Sequence, residues 1–185
     1  MSALGLHPLT RQQSRTRGAI QAAFLDLLFE NNYPAVTMAA VAARADVGRS
    51  TLYEHFRTKD DLFRDCVRMP LGGLAELVGA QTLPPRFGAL LQHFRDNQAL
   101  ARVLVYLPAY GSMQRVLSEL IETRLEGRAH GRPHHVPLAL IAGQIAAAQL
   151  AVLMPWILGQ AAISPLALAE ALYRTSNAIA DSMIG

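Results

Sequence analysis

Cysteine occurs once in this 185-residue chain, at Cys66, so no intrachain disulfide can close and nothing calls for an oxidising compartment. Charge is sparse as well. Charged residues make up 17% of the chain, and 17 Lys and Arg against 14 Asp and Glu leave a formal charge of +3. That balance suits a polyanionic partner without identifying one. The opening MSALGLHPLT lacks a basic start followed by a sustained apolar run, so no secretory signal is expected and the cytoplasm is the expected location. Catalytic signatures are missing too: there is no Gly-x-Ser-x-Gly, no His-Glu-x-x-His and no phosphate-cradling glycine loop. The chain is accordingly expected not to be an enzyme, and it implies no cofactor. His130, His134 and His135 cluster in a loop-like stretch, but no Cys or carboxylate completes a ligand set, so no metal is expected.

What the chain has is apolar content, 51% of its residues, ample for a core. Ile20, Ala23, Phe24, Leu27 and Leu28 recur at helical spacing, which predicts a first helix from about Ser14 to Glu30. Asn31, Asn32 and Pro34 end it. Thr37 restarts a helix as an N-cap, and Met38, Val41 and Ala42 supply its buried face. After the turn Ala45-Asp46-Val47-Gly48 comes RSTLYEHF, with Leu52, Tyr53 and Phe56 at helical spacing. Thr58 followed by Asp60 and Asp61 announces a fourth helix through Leu62, Phe63, Cys66 and Val67. Isolated helices of eight or nine residues are marginal in water, so the central pair must lean on its neighbours.

A compact pair of this kind is a helix-turn-helix, whose second helix lies in a DNA major groove while the first crosses the backbone. Arg49 has the reach and the planar fork for a guanine edge, and Ser50 and Thr51 are short donors for bases or phosphates. Tyr53, His55 and Lys59 are spaced to meet phosphates along the helix flank. Arg11, Arg15 and Arg17 lie ahead of and at the start of the expected first helix, where a flexible basic arm could enter a minor groove.

The block from Arg15 to Val67 resembles the DNA-binding domain of the tetracycline-repressor (TetR) family of bacterial transcription regulators. The residues that carry the resemblance are Ile20 to Ala23, Leu27-Leu28-Phe29, Tyr33, Thr37, Val41-Ala42, Ala45, Val47, Ser50-Thr51-Leu52-Tyr53, His55-Phe56, Lys59 and Leu62. The resemblance implies phosphate contacts for Thr37, Tyr53, His55 and Lys59, base or phosphate contacts for Arg49, Ser50 and Thr51, and a core position for Phe56. Two departures stand out. The usual Gly-Val-Ser of the turn is Asp46-Val47-Gly48 here, and a frequent glycine is replaced by Asn32; Asp and Asn keep the left-handed option, and Gly is a weaker cap than Ser. One hydroxyl contact near the groove is thereby lost, so operator preference cannot be copied from a relative.

The expected fold is all-α: a three-helix helix-turn-helix domain over residues 11–68, and a helical ligand-binding and dimerisation domain over 69–185. Pro70, Gly72, Gly73 and then Leu83-Pro84-Pro85 interrupt the pattern and place the boundary near residue 69. Val136 to Ala169 carries no charge, yet Gln144, Gln149, Gly143 and many alanines make it only moderately apolar and Pro155 and Gly159 break its far end. A buried helix is therefore expected rather than a membrane span. The resemblance implies that the last two long helices, about Pro137 to Leu158 and Pro165 to Met183, pair with a second copy. Dimerisation also sets two recognition helices about 34 Å apart, one DNA turn, to read a palindromic operator in double-stranded DNA. The resemblance further implies a small-molecule effector held among the middle helices, with Phe87, Phe94, Tyr106, Tyr110, Met113, Leu117 and Trp156 as candidate contacts. Their chemistry favours an apolar or aromatic ligand. The expected function is a ligand-responsive, sequence-specific repressor; the alternative is a helical ligand-binding or interaction protein whose helix-turn-helix no longer reads DNA.

Overall fold

The computed structural model describes residues 10–31, 33–96, 107–129 and 135–184. Among these, every regular element is helical, and the chain divides into two compact units, Met1–Phe63 and Arg64–Gly185.

In the first unit, α1 spans Arg11–Glu30. Its start differs from expectation. Thr10 accepts from the Gln13 amide while the Gln13 side chain accepts from the Thr10 amide, a reciprocal capping box that begins the helix a full turn before Ser14. Arg11, Arg15 and Arg17 are therefore helical residues and not part of a flexible arm. A short 3₁₀ turn, Tyr33–Ala35, leads to α2, Met38–Arg44, and then to α3, Arg49–His55. Ile20, Phe24 and Leu28 of α1 close over Val41, Leu52 and Phe56, each at most 3% exposed. Burial of one such side chain contributes about 1.5–3 kcal/mol, enough to hold helices of only seven residues that would melt alone. The forked pair Arg44–Glu30, at 2.9 and 2.7 Å, ties the end of α2 to the end of α1. Hydrogen bonding from Arg44 lowers the Glu30 pKa, and the same bond raises that of Arg44.

Helix α4 runs Lys59–Ala75, straight through the Pro70, Gly72 and Gly73 that were expected to interrupt it. Burial outweighs local propensity here, because Leu71, Leu74 and Ala75 are all sealed from solvent. At Gly73 a Cβ would come within 2.6 Å of the Leu90 side chain, so this glycine marks a close approach of the next helix rather than a break. Beyond Ala75, the connection to α5 (Pro85–Asp96) is strapped by side chains: Arg124 donates to the Val78 carbonyl, Asn177 to Leu77, and the Tyr173 hydroxyl to Gln81.

Among the described residues, three further helices belong to the second unit: α6 Leu107–Ala129, α7 Leu138–Ile157 and α8 Pro165–Ile184. The most extensive packing is α6 against α7, followed by α7 against α8 and α5 against α8. Ala142 and Ala146 at the centre of α7 have no exposed surface, and such small side chains permit close helix approach. Helix α7 is long and apolar enough to cross a membrane by length and composition, but ten of its residues are buried within the protein, as the core reading requires. It ends as the sequence signals. Gly159 takes φ 72, with Gly159 N–H bonded to Trp156 and Gln160 N–H to Pro155, so the last carbonyls are satisfied at the left-handed residue.

One buried polar group tests this packing. Gln149, 1% exposed, donates from Nε2 to the Leu74 carbonyl and to Ser176 Oγ, while its Oε1 has no protein partner. Both acceptors keep another bond, since Leu74 also receives Leu77 N–H and Ser176 donates to Leu172. Gln149→Leu therefore strands nothing and removes an unsatisfied acceptor, so the melting temperature is expected to hold or rise. Gln149→Ala leaves a void and is expected to cost on the order of 2 kcal/mol. Thermal melts of the two variants check this, and a large loss in Gln149→Leu would refute it.

Candidate nucleic-acid interface and effector cavity

The turn between α2 and α3 is built by backbone chemistry. Asp46 takes φ 52, its N–H bonds to Ala43, and Val47 N–H reaches back to Ala42. This is the left-handed helix stop that glycine usually supplies and that Asp tolerates better than most residues. Gly48 then caps α3 with extended backbone and no side-chain hydrogen bond, while its carbonyl accepts from Leu52.

Helix α3 has two faces. Leu52, with no exposed surface, and Phe56 point inward, so Arg49, Ser50 and Tyr53 are left on the outside, Tyr53 half exposed. Thr51 and His55 are half-buried at the flank. They share a shallow open groove with Thr16 and Arg17 of α1, and the Arg17 guanidinium lies 4.8 Å over the Phe56 ring. Thr37 is exposed and caps α2, accepting from Ala40 N–H at 3.2 Å; its hydroxyl proton can still donate outward. Arg15 is exposed on the first turns of α1. Two further charged residues, outside the expected contacts, stand at this face: Glu54, an exposed acid between Tyr53 and His55, and Arg57, an exposed base just past α3. Both are readable from the same helical spacing.

Lys59 sits differently from the others. Its ammonium donates to the carbonyls of Tyr33 at 2.8 Å and Val36 at 2.9 Å and lies 4.4 Å over the Tyr33 ring. Burial lowers its pKa from the ordinary lysine value.

Of the expected effector contacts, Phe87, Phe94, Met113, Leu117 and Trp156 are buried and Tyr110 is half-buried; Tyr106 lies outside the described residues. The structure brings Phe94 and Met113 together at a cavity walled by Leu71 and Leu74 of α4 and Leu150, Leu153 and Met154 of α7. Among the described residues, no polar side chain lines it. Phe87, Leu117 and Trp156 do not line this cavity, and the Trp156 indole N–H is bonded to the Ile163 carbonyl. At about 20 Å³ the cavity is far below the roughly 300–1,000 Å³ that ligand sites occupy. His135 is exposed, and His130 and His134 lie outside the described residues.

Residues 20–66 match the family described as bacterial regulatory proteins, tetR family. A curated relative, the uncharacterized HTH-type transcriptional regulator YxbF of Bacillus subtilis, is 25% identical over 130 residues, which are 70% of this chain; the chain spans only 30% of that protein's length. Among solved structures, a TetR-family regulator from Streptomyces coelicolor superimposes with TM-score 0.67 at 17% identity, covering 96% of this chain and 99% of that one. A TetR regulator from Streptococcus agalactiae gives 0.57 at 23% identity, covering 90% and 96%. NalD of Pseudomonas aeruginosa gives 0.56 at 18% identity, with the same coverage. At these identities the structures speak for the fold, and the matched helix-turn-helix speaks for the family. Residues 20–66 thus form a DNA-binding domain of the tetR family of bacterial regulatory proteins, and the chain as a whole has the all-helical fold of the solved TetR regulators.

Proposed function

We propose that this regulator is a cytoplasmic homodimer that reads a palindromic operator with α3 and represses until a small apolar or aromatic molecule releases it. The observation that carries the DNA reading is the division of α3. Its outer face presents a forked cation, a hydroxyl and a phenol at Arg49, Ser50 and Tyr53, while Leu52 anchors the helix without occupying that face. Thr37, Thr51, His55 and Arg15 are the candidate flanking contacts, chiefly to phosphates.

Homodimerisation is supported by the surface of α7, where Leu140, Gln144, Ala151 and Val152 are exposed and no residue is charged. Leu166 of α8 adds another exposed apolar side chain, 62% accessible. Such uncharged faces are costly to leave in water and suit a self-complementary contact.

For the effector, the tight apolar cavity supplies both the chemistry and a mechanism. A ligand of ordinary size fits only after Met113, Met154 and Phe94 move aside, so it binds an expanded arrangement in preference to the closed one. That differential affinity is what any release from DNA has to draw on, and it is an upper limit to the effect. NalD is described as the secondary repressor of a multidrug efflux pump, which supports the repressor reading by analogy.

The deciding experiment is selection and sequencing of genomic fragments bound by the protein across a salt series. A palindromic consensus with steeply salt-dependent affinity is the expected result. Weak binding without a consensus would refute specific reading. For the effector, apolar aromatics at about one hundred times their Kd should raise stability by about 2.7 kcal/mol in thermal-shift assays and weaken operator binding. Charged sugars and phosphates should do neither.

A further inference from the structure

We infer that Lys59 is a positioning residue of the DNA-binding surface: its ammonium pins the turn that delivers Thr37 and α2, and it does not neutralise a phosphate. The inference rests on the DNA-binding reading above and assigns one of its basic residues a different task.

The geometry accounts for the whole ammonium group. A lysine ammonium has three donors. Two are taken by the carbonyls of Tyr33 and Val36, and the Tyr33 ring face lies 4.4 Å from the nitrogen. These carbonyls belong to the first residue of the 3₁₀ turn Tyr33–Ala35 and to the residue just past its end. Tyr33 is itself fixed by edge contacts to Phe24 and Phe63, and Val36 is 3% exposed. One cation thus joins the first turn of α4 to the segment that ends at Thr37, the cap of α2.

Composition points the same way. Lys59 is the only lysine of the chain, and the remaining 16 basic residues are all arginine. Arginine is the better phosphate fork, whereas a compact ammonium with tetrahedral donors fits between two carbonyls and a ring. The one position that uses lysine is the one with such a seat.

Being the only lysine, Lys59 can be followed in the unaltered protein. Reductive methylation with formaldehyde, read by peptide mass, should modify it at least several-fold more slowly in the folded free protein than in the urea-unfolded chain. Equal rates would mean that the ammonium is not seated and would overturn the inference. The second measurement is the salt dependence of operator binding by Lys59→Met and Lys59→Arg. A lost phosphate contact lowers the slope of log K against log salt by about 0.9 per protomer, or about 1.8 for two. A lost positioning contact weakens operator binding, by on the order of tenfold, with the slope and random-DNA affinity unchanged. Lys59→Arg should remain impaired under the positioning role and be rescued under the phosphate role. A reduced slope together with arginine rescue would overturn the inference. Absence of operator binding by the wild type would refute the DNA reading itself while leaving the methylation result standing.

Discussion

Leu140→Asp is expected to convert the proposed homodimer into monomers and to abolish tight operator binding, with the fold of each protomer intact. Leu140 is 65% exposed in the single chain, so its core packing is not at stake. It is the third residue of α7, where a carboxylate meets the positive end of the helix dipole and is favourable. In a dimer built on the uncharged face of α7, two copies of the side chain leave water. Losing them and burying two carboxylates costs at least about 3–6 kcal/mol, or roughly 10²–10⁴ in the dissociation constant. Operator affinity falls with it, because each monomer reads only a half-site. Light scattering at micromolar concentration and an operator titration check both parts. A dimer mass retained by the variant would show that the partner surface lies elsewhere.

The sequence made α7 and α8 legible for a simple reason. A stretch without charge that is still interrupted by glutamines and small residues has few places to go except into helices packed on several sides. The expected bounds, Pro137 to Leu158 and Pro165 to Met183, fall within one residue of α7 and α8. The short helices α2 and α3 were equally readable, because Val41, Ala42, Leu52 and Phe56 repeat at helical spacing around turn residues. The start of α1 was not, since residues 11–19 contribute no buried side chain to reveal a face. Its signal lay instead in Thr10 and Gln13, a capping-box spacing that periodicity does not register. Pro70 and Gly73 misled in the opposite direction: local propensity speaks against a helix, and only burial of Leu71, Leu74 and Ala75 overrides it. The seat of Lys59 was beyond reach, because it joins residues 23 and 26 positions apart and no spacing rule connects a cation to two particular carbonyls. The cavity was legible neither in its lining nor in its size. Phe94 and Met113 were among the apolar and aromatic candidates of the middle helices, but which of those candidates line a cavity, and its size of about 20 Å³, are set by three-dimensional fit alone.

Arg49→Ala is expected to have the largest effect on what the protein reads. Arg49 opens α3 and is exposed, so its removal takes no contact from the core, and alanine is at least as good a helix former. Each arginine that forks onto a guanine edge contributes about 1–3 kcal/mol of discrimination, and a dimer carries two. Operator affinity should therefore drop by about 2–6 kcal/mol, roughly 30-fold to 10⁴-fold, while binding to random DNA, which draws on phosphate contacts, stays close to wild type. The selected consensus should relax at one base pair in each half-site and nowhere else. A phosphate contact behaves differently: specific and random binding weaken in parallel, and the salt slope falls by about 1.8 for two lost contacts. The variant thus separates the two roles open to an exposed arginine at this position. If the consensus and the affinity both survive, base reading falls instead to Ser50, Thr51 and Tyr53, whose shorter or flatter side chains require α3 to sit deeper in the groove.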